Sequence, residues 1–458
     1  MKQQNSDWLN TSPIFYHEKT GKTGCTPNEV VDFANFDWDW EGLQLFMDYG
    51  YCVYTHTPIR HVRFLPPLSK LSTDKGCHTP PKEQIDIIFE NLLTPTDPKD
   101  VLSLLSHKLS TWLSNQAEET RLILPLSGGL DSRLLLYHLK SHPHITTYTY
   151  GVSEDQSQNF EVLYAQQIAK LAGVSWQQIP LGNYLSLLPK WNQLFGISTH
   201  AHGMYQMEFY QKISEINKFI NSPILVSGFI GDVWAGTVSP APIDRPENLS
   251  RLGFSHGLKA DSRFLHHYKQ KLDVLDLFFE AQRSYLHHSP YLVILTMQNK
   301  TMLLRYLMQV PETMGWHTYA PFADQETALA MLRLPHQERK NRHWQRAFIE
   351  DIGWNIEEKI TAGQVFNYLN HQAAITHPLP LLDVHLLREI VRPAYVEQIN
   401  KKLLYSFWQR QRLALHRRFR KKRVLWRFFT DDFLPAYFAY LNLYPLQKLI
   451  EERNQYLS

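Results

Sequence analysis

"LPLSGGLDSRLLL", residues 124–136, decides how the chain is read. An apolar run stops at Ser127-Gly128-Gly129, an acid and a hydroxyl follow at Asp131 and Ser132, and apolar residues then resume at helical spacing. The pattern predicts a strand over 121–126, a tight turn, and a helix over 132–140. A glycine-rich turn between a strand and a helix gathers backbone N–H groups and the helix N-terminus around one point, which suits an anion. Gly128 and Gly129 lack a Cβ, so the backbone can approach a ligand closely. Ser127 and Ser132 add hydroxyl donors. Asp131 cannot bind phosphate directly, so an acid inside an anion cradle points to Mg2+ between carboxylate and phosphates. The plainer alternative is an ordinary strand–turn–helix joint with serine caps.

Working outward, strands and helices alternate. "ITTYTYGV" (145–152) reads as a strand and 159–172 as a helix with Phe160, Leu163, Ile168 and Leu171 inward. "SWQQIPL" (175–181) reads as a strand, 202–219 as a helix, and "SPILVSG" (222–228) as a strand ending in glycine. Upstream, 98–116 reads as a helix with Val101, Leu104, Leu105, Leu109, Trp112 and Leu113 on one face, capped by Asp97 or Asp100. This alternation predicts a parallel α/β sheet covered on both faces. Ligands of such sheets bind beyond the carboxyl ends of the strands. The two glycine-marked strand ends, Ser127–Gly129 and Gly228–Asp232, are therefore the candidate site loops.

The flanks differ. Residues 13–71 read as short strands with turns, "GYCVYTHTP" (50–58) among them, and 72–86 read as a linker. From about 245 the chain turns mostly helical and carries the basic, aromatic run "HRRFRKKRVLWR" (416–427). Most such runs are one solvated helix face; contact with an anionic membrane surface is the alternative. A net charge of +3 is too small to imply nucleic acid as a partner. The start has no apolar signal core, and no run is long enough to span a bilayer. Three dispersed cysteines, Cys25, Cys52 and Cys77, predict neither a disulfide framework nor a zinc site. Cys25 and Cys52 are expected to be packing residues, and a cytoplasmic location is expected. His200 and His202 lack a third ligand in reach and are not expected to hold a metal.

"SGGLDS" in this setting resembles the PP-loop of the ATP pyrophosphatases, in the form used by the asparagine synthetase family. It lacks the lysine of the Walker loop, which argues against a kinase or motor ATPase. The likeness continues in patches over about 40–365. "LVSGFIGDVWAG" (225–236) resembles the family's second site loop, "YAPFADQETALAMLRLP" (319–335) its proline-phenylalanine segment with Asp324 at the acid, and "GYCVYTHTPIRHVRFLPPLSKL" (50–71) the end of its glutamine amidotransferase domain. Glu161 and Ala165 stand where relatives carry an acid and an alanine. The resemblance implies an α/β sheet of the PP-loop (adenine nucleotide α-hydrolase-like) type. It implies a truncated β-rich domain at 1–75, an ATP-binding synthetase domain at 95–370, and a helical basic and aromatic tail at 371–458. It implies ATP and Mg2+ as cofactors, with Ser127, Gly128, Gly129, Leu130, Asp131, Ser132, Tyr150, Gly151, Gly228 and Gly231 around ATP and pyrophosphate. Asp131 and Asp232 would bind the metal, and Asp131, Asp232 and Lys359 would carry catalysis.

The implied reaction adenylates a small-molecule or peptide carboxylate, releases pyrophosphate, and passes the acyl group to ammonia or an amine. Lys2 stands where glutamine-hydrolysing relatives carry a cysteine, so nitrogen is expected from solution, from a substrate amine or from a separate glutaminase. Phe229 and Ile230 replace small residues, and Val233 replaces an acid, which leaves the substrate open. A cyclase like the lasso-peptide or β-lactam synthetases, or a scaffold that kept the fold without activity, are the alternatives. Asp232 also reads as a turn former, and Lys359 as a solvated lysine near a helix end.

Overall fold

In the computed structural model, residues 4–72, 76–78, 82–217, 222–252, 259–357, 360, 363, 366–404 and 433–458 are described. Lys359 and the basic run 416–427 lie outside the described residues.

The chain is an α/β protein. Six short strands come first: β1 (Gln4–Asn5), β2 (Phe15–His17), β3 (Thr23–Gly24), β4 (Val62–Phe64), β5 (Lys70–Ser72) and β6 (Gly76–His78). They form two antiparallel three-stranded sheets, ordered β1-β5-β6 and β3-β2-β4. Then come β7 (Leu122–Pro125), β8 (Ile145–Thr149), β9 (Ser175–Gln178), β10 (Ile224–Val226) and β11 (His317–Tyr319), all parallel and ordered β11-β10-β7-β8-β9. The central strands β7 and β10 read Leu-Ile-Leu-Pro and Ile-Leu-Val because both of their faces are covered. The edge strands β9 and β11 read Ser-Trp-Gln-Gln and His-Thr-Tyr, since each pairs on one side only. From β7 the chain builds outward through β8 and β9, then returns to the other side of β7 for β10 and β11. The strand order therefore reverses between β7 and β10, and a crevice opens at their carboxyl ends.

The helices around the sheet follow their sequence signals closely. Pro98–Ser114 is capped by Asp97, whose side chain accepts from the Lys99 N–H, and it buries Val101, Leu105 and Leu109. Leu130–Leu139 follows β7, Phe160–Ala172 follows β8, and Met204–Asn217 precedes β10. The inward face of Phe160–Ala172 differs from expectation. Val162, Ala165, Ile168 and Ala169 are buried, whereas Leu171 is 42% exposed. Small residues face inward where the helix packs on Leu130–Leu139 and the sheet.

The N-terminal reading needs three corrections. Trp40–Tyr49 is a helix, capped by Asp39 accepting from the Gly42 N–H and ended by Gly50 at φ +82°. "GYCVYTHTP" is buried but is not a strand, because Tyr54 and Thr55 both have positive φ and break the extended backbone. Its polar groups are met elsewhere: the Cys52 N–H donates to the Ser198 carbonyl and the Tyr54 hydroxyl to the Leu249 carbonyl. Residues 72–86 are more than a linker, since they contain β6 and the start of the helix Lys82–Asn91. The N-terminal region shares one continuous core with the parallel sheet. Trp8 illustrates this, stacking on Trp234 at 5.8 Å and donating to the Ala323 carbonyl at 2.8 Å.

From 245 onward the described elements are helical apart from β11. The last helix, Phe433–Leu457, packs on Pro393–Leu403. Among the described residues no helix is long and apolar enough to cross a membrane. Cys52 is buried, and burial pushes its thiol pKa up, so it is a packing residue. Cys25 is exposed, contrary to expectation.

Candidate functional site

A cavity of about 470 Å3 opens at the carboxyl ends of β7, β8 and β10, where the strand order reverses. This volume falls in the range of small-molecule sites, ~300–1,000 Å3. Ser127, Gly129, Asp131, Ser132, Tyr150, Gly228 and Asp232 line it. Gly128, Leu130, Gly151 and Gly231 are not in its lining.

The first loop is shaped by local chemistry. Gly128 has φ +71°, and a Cβ there would lie 2.5 Å from the Tyr164 Cβ. Gly129 is the cap position of Leu130–Leu139; its N–H donates to Ser127 Oγ at 3.3 Å, and Ser132 Oγ donates back to its carbonyl at 3.0 Å. The serines therefore brace the loop while still lining the cavity. From behind, the buried Arg133 donates through Nε to the Gly128 carbonyl at 2.8 Å and pairs through Nη2 with Glu357 Oε1 at 2.8 Å.

The second loop, Ser227–Asp232, closes a turn with the Gly231 N–H donating to the Gly228 carbonyl at 3.1 Å. Within it Ile230 adopts φ +57°, a conformation costing a side-chain-bearing residue roughly 1–2 kcal/mol. Both glycines are packed against the first loop. A Cβ on Gly228 would lie 3.3 Å from Asp131 Cβ, and one on Gly231 would lie 3.0 Å from Asp131 Cγ and 2.8 Å from Phe322. Gly151 is constrained likewise, since a Cβ there would strike the Gln156 carbonyl at 2.1 Å.

Asp131 is thus the point where the two loops meet. Its Oδ1 accepts from Arg342 Nη2 at 2.6 Å and from Gln345 Nε2 at 3.0 Å. Burial lifts its carboxyl to about 6; Arg342 and Gln345 hold it down, and the negative charge of Asp232 adds to the rise. Among the described residues no group of three or more His, Cys, Asp or Glu side chains could cage a metal.

Sequence reasoning missed several cavity residues. Lys300 is the sole charged residue in the 16-residue helix Ser289–Leu304, and it lines the cavity while buried. Burial pulls its ammonium below the usual lysine range, against an opposing pull from Asp232. A lone cation in an apolar helical run was the available signal. Gln206 donates to the Tyr150 hydroxyl at 2.9 Å and also lines the cavity. Glu161, which the family resemblance already marked, also lines the cavity; its N–H donates to Asn159 Oδ1, and burial raises its carboxyl pKa.

Asp324 lies outside the cavity lining. Its Oδ1 caps the helix Gln325–Leu332 by accepting from the Thr327 N–H at 2.9 Å, and it pairs with Lys108 at 2.7 Å. Burial raises its pKa, but the bonds from Lys108 and Thr327 leave it below the ordinary aspartate value. No protein-family model matches this sequence, and no curated protein matches it.

Proposed function

We propose that the protein is an ATP-dependent amide-bond-forming ligase of the asparagine synthetase kind. On this reading it adenylates a carboxylate with release of AMP and pyrophosphate, then transfers the acyl group to ammonia or an amine. The observation that carries the reading is the convergence of two glycine-bearing loops on Asp131 at the strand-order reversal, beside a helix N-terminus. The loop N–H groups at 127–129 and the start of Leu130–Leu139 favour the departing pyrophosphate. Asp131 and Asp232 would hold Mg2+, which supplies positive charge to the phosphates. The carboxylate oxygen attacks the α-phosphorus, the bond from that phosphorus to the bridging oxygen breaks, and its electron pair leaves with pyrophosphate. Ammonia or an amine then attacks the acyl carbon, and AMP leaves. Lys359 is retained as a proposed charge-stabilising residue on the strength of the family resemblance. A cytoplasmic location, where ATP and Mg2+ are abundant, fits this reading.

The test is to incubate the full-length protein with ATP, Mg2+, ammonia and a panel of carboxylic acids, and to identify the nucleotide products. AMP and pyrophosphate, formed only when an acid is present, are expected. ADP and phosphate would overturn the reading.

A further inference from the structure

The cavity has a second wall that the nucleotide reading leaves unexplained. Met297, Lys300 and Leu304 follow one another at three- and four-residue spacing on the helix Ser289–Leu304, and all three line the cavity. Residues at that spacing share one helix face. Leu307 continues the wall after the helix ends, and Val233 and Val238 add to it. The bulky second-loop residues Phe229 and Ile230 line the same cavity. Of all the lining residues only Asp131, Glu161, Asp232 and Lys300 carry charge, so Lys300 is the sole cation among them.

The phosphates already have partners: the loop amides, the helix N-terminus, and a metal on Asp131 and Asp232. Lys300 is flanked one turn away on each side by an apolar side chain. A single buried cation on an apolar wall, with Asp232 as the acid that acts on it, recognises a single anionic group on an apolar body. A polyhydroxylated substrate would instead leave its hydroxyl groups without partners against Met297, Leu304 and Leu307, at a cost of roughly 1–3 kcal/mol for each unsatisfied group, and the second carboxylate of aspartate would meet Asp131, Glu161 and Asp232 with no second cation among the lining residues.

We infer that the Met297–Lys300–Leu304 face with Leu307, Val233 and Val238 is the acyl-substrate half of the cavity, and that it takes a carboxylic acid with an apolar body whose carboxylate meets Lys300. The inference rests on the ATP-dependent acyl-activating reading, and it excludes aspartate and sugar acids as the preferred substrates. The body of the acid lies against the apolar wall, and its carboxylate is presented toward Asp232 and the phosphate loop.

The experiment is calorimetric titration of the full-length protein with hexanoate and 3-phenylpropionate. L-Aspartate, D-glucuronate and the neutral hexanamide serve as comparators, each with and without Mg2+ and α,β-methylene-ATP. Hexanoate and 3-phenylpropionate are expected to bind at least about tenfold more tightly than aspartate or glucuronate. Lys300→Met should weaken hexanoate at least about tenfold and leave hexanamide within about threefold. Leu307→Asn, at a half-buried position, should weaken hexanoate and hexanamide alike, with its fold checked by circular dichroism. Tighter binding of aspartate or glucuronate, no binding of either apolar acid, or equal loss of hexanoate and hexanamide in Lys300→Met would each overturn the inference. If the apolar acids bind as expected but α,β-methylene-ATP does not bind, the acyl pocket stands and the ATP reading falls.

Discussion

Arg342 reaches Asp131 across 211 residues of sequence, its Nη2 donating to Asp131 Oδ1 at 2.6 Å from a backbone held at φ +59°. Arg342 and its neighbour Asn341, at φ +53°, are both left-handed, which aims the guanidinium into the junction of the two site loops. Strained backbone of this kind persists where surrounding structure over-determines it, and it concentrates at functional sites. Arg342 pairs with the Asp131 carboxylate at 16% side-chain exposure, so the interaction is largely shielded from water.

Asp131→Asn keeps the shape of the side chain and an oxygen for Arg342 and Gln345, but removes the charge. Acid-dependent exchange between ATP and pyrophosphate should fall by at least about a hundredfold. Asp232→Asn should behave similarly. The measurement is isotope exchange at saturating Mg2+, with circular dichroism to confirm folding. Near-normal exchange in Asp131→Asn would remove that residue from the metal site.

The raised pKa of Asp131 has a stability consequence in the metal-free, nucleotide-free protein. Its folded value, about 6, exceeds the ordinary 3.8, so the folded state holds the proton more tightly. The corresponding stability is present below pH 4 and is lost as pH rises through 6. At neutral pH the loss amounts to at most about 3 kcal/mol. The Tm of Asp131→Asn minus that of wild type should therefore increase between pH 4 and pH 6.5 in the presence of EDTA. A difference that stays flat over this window would contradict the assignment.

Gly128 and Gly21 both have positive φ, at +71° and +68°, but only Gly128 is crowded. An added Cβ at Gly21 meets nothing within 4 Å, whereas at Gly128 it lies 2.5 Å from Tyr164 Cβ. Gly128→Ala should cost roughly 1–3 kcal/mol more than Gly21→Ala, the extra being the displacement of Tyr164 and its helix. Urea unfolding of the two variants measures the difference. Nucleotide binding should fall in Gly128→Ala alone.

Arg133 holds the loop at 127–129 without entering the cavity, through the Gly128 carbonyl and Glu357. Arg133→Lys supplies one compact ammonium where a planar fork made separate bonds, so it should not restore function. Both Arg133→Lys and Arg133→Met should raise the KM for ATP about tenfold or more, with a smaller change in kcat. A reduced kcat at unchanged KM would show that Arg133 does not position the nucleotide loop.

What the sequence determined by itself was whatever depends on near neighbours. The apolar runs 122–125 and 224–226 mark strands buried on both faces, Asp97 marks a helix start, and Ser127 to Ser132 spell out a turn that only glycine at Gly128 allows. Those signals placed the parallel sheet and both site loops, because backbone dihedrals, capping and side-chain period act within a few residues. Whatever needs the chain to fold back was decided by tertiary structure. Arg342 and Gln345 reach Asp131, and Lys300 reaches the cavity, from segments far along the chain, and nothing in their own neighbourhoods says which acid they face. Tyr51 to Thr57 has the alternation of a strand, yet it is buried as an irregular segment because its backbone groups find Ser198 and Asn299 rather than a neighbouring strand. The inward face of Phe160–Ala172 was set by close packing on the Leu130–Leu139 helix, which admits Ala165 and Ala169 and turns Leu171 outward.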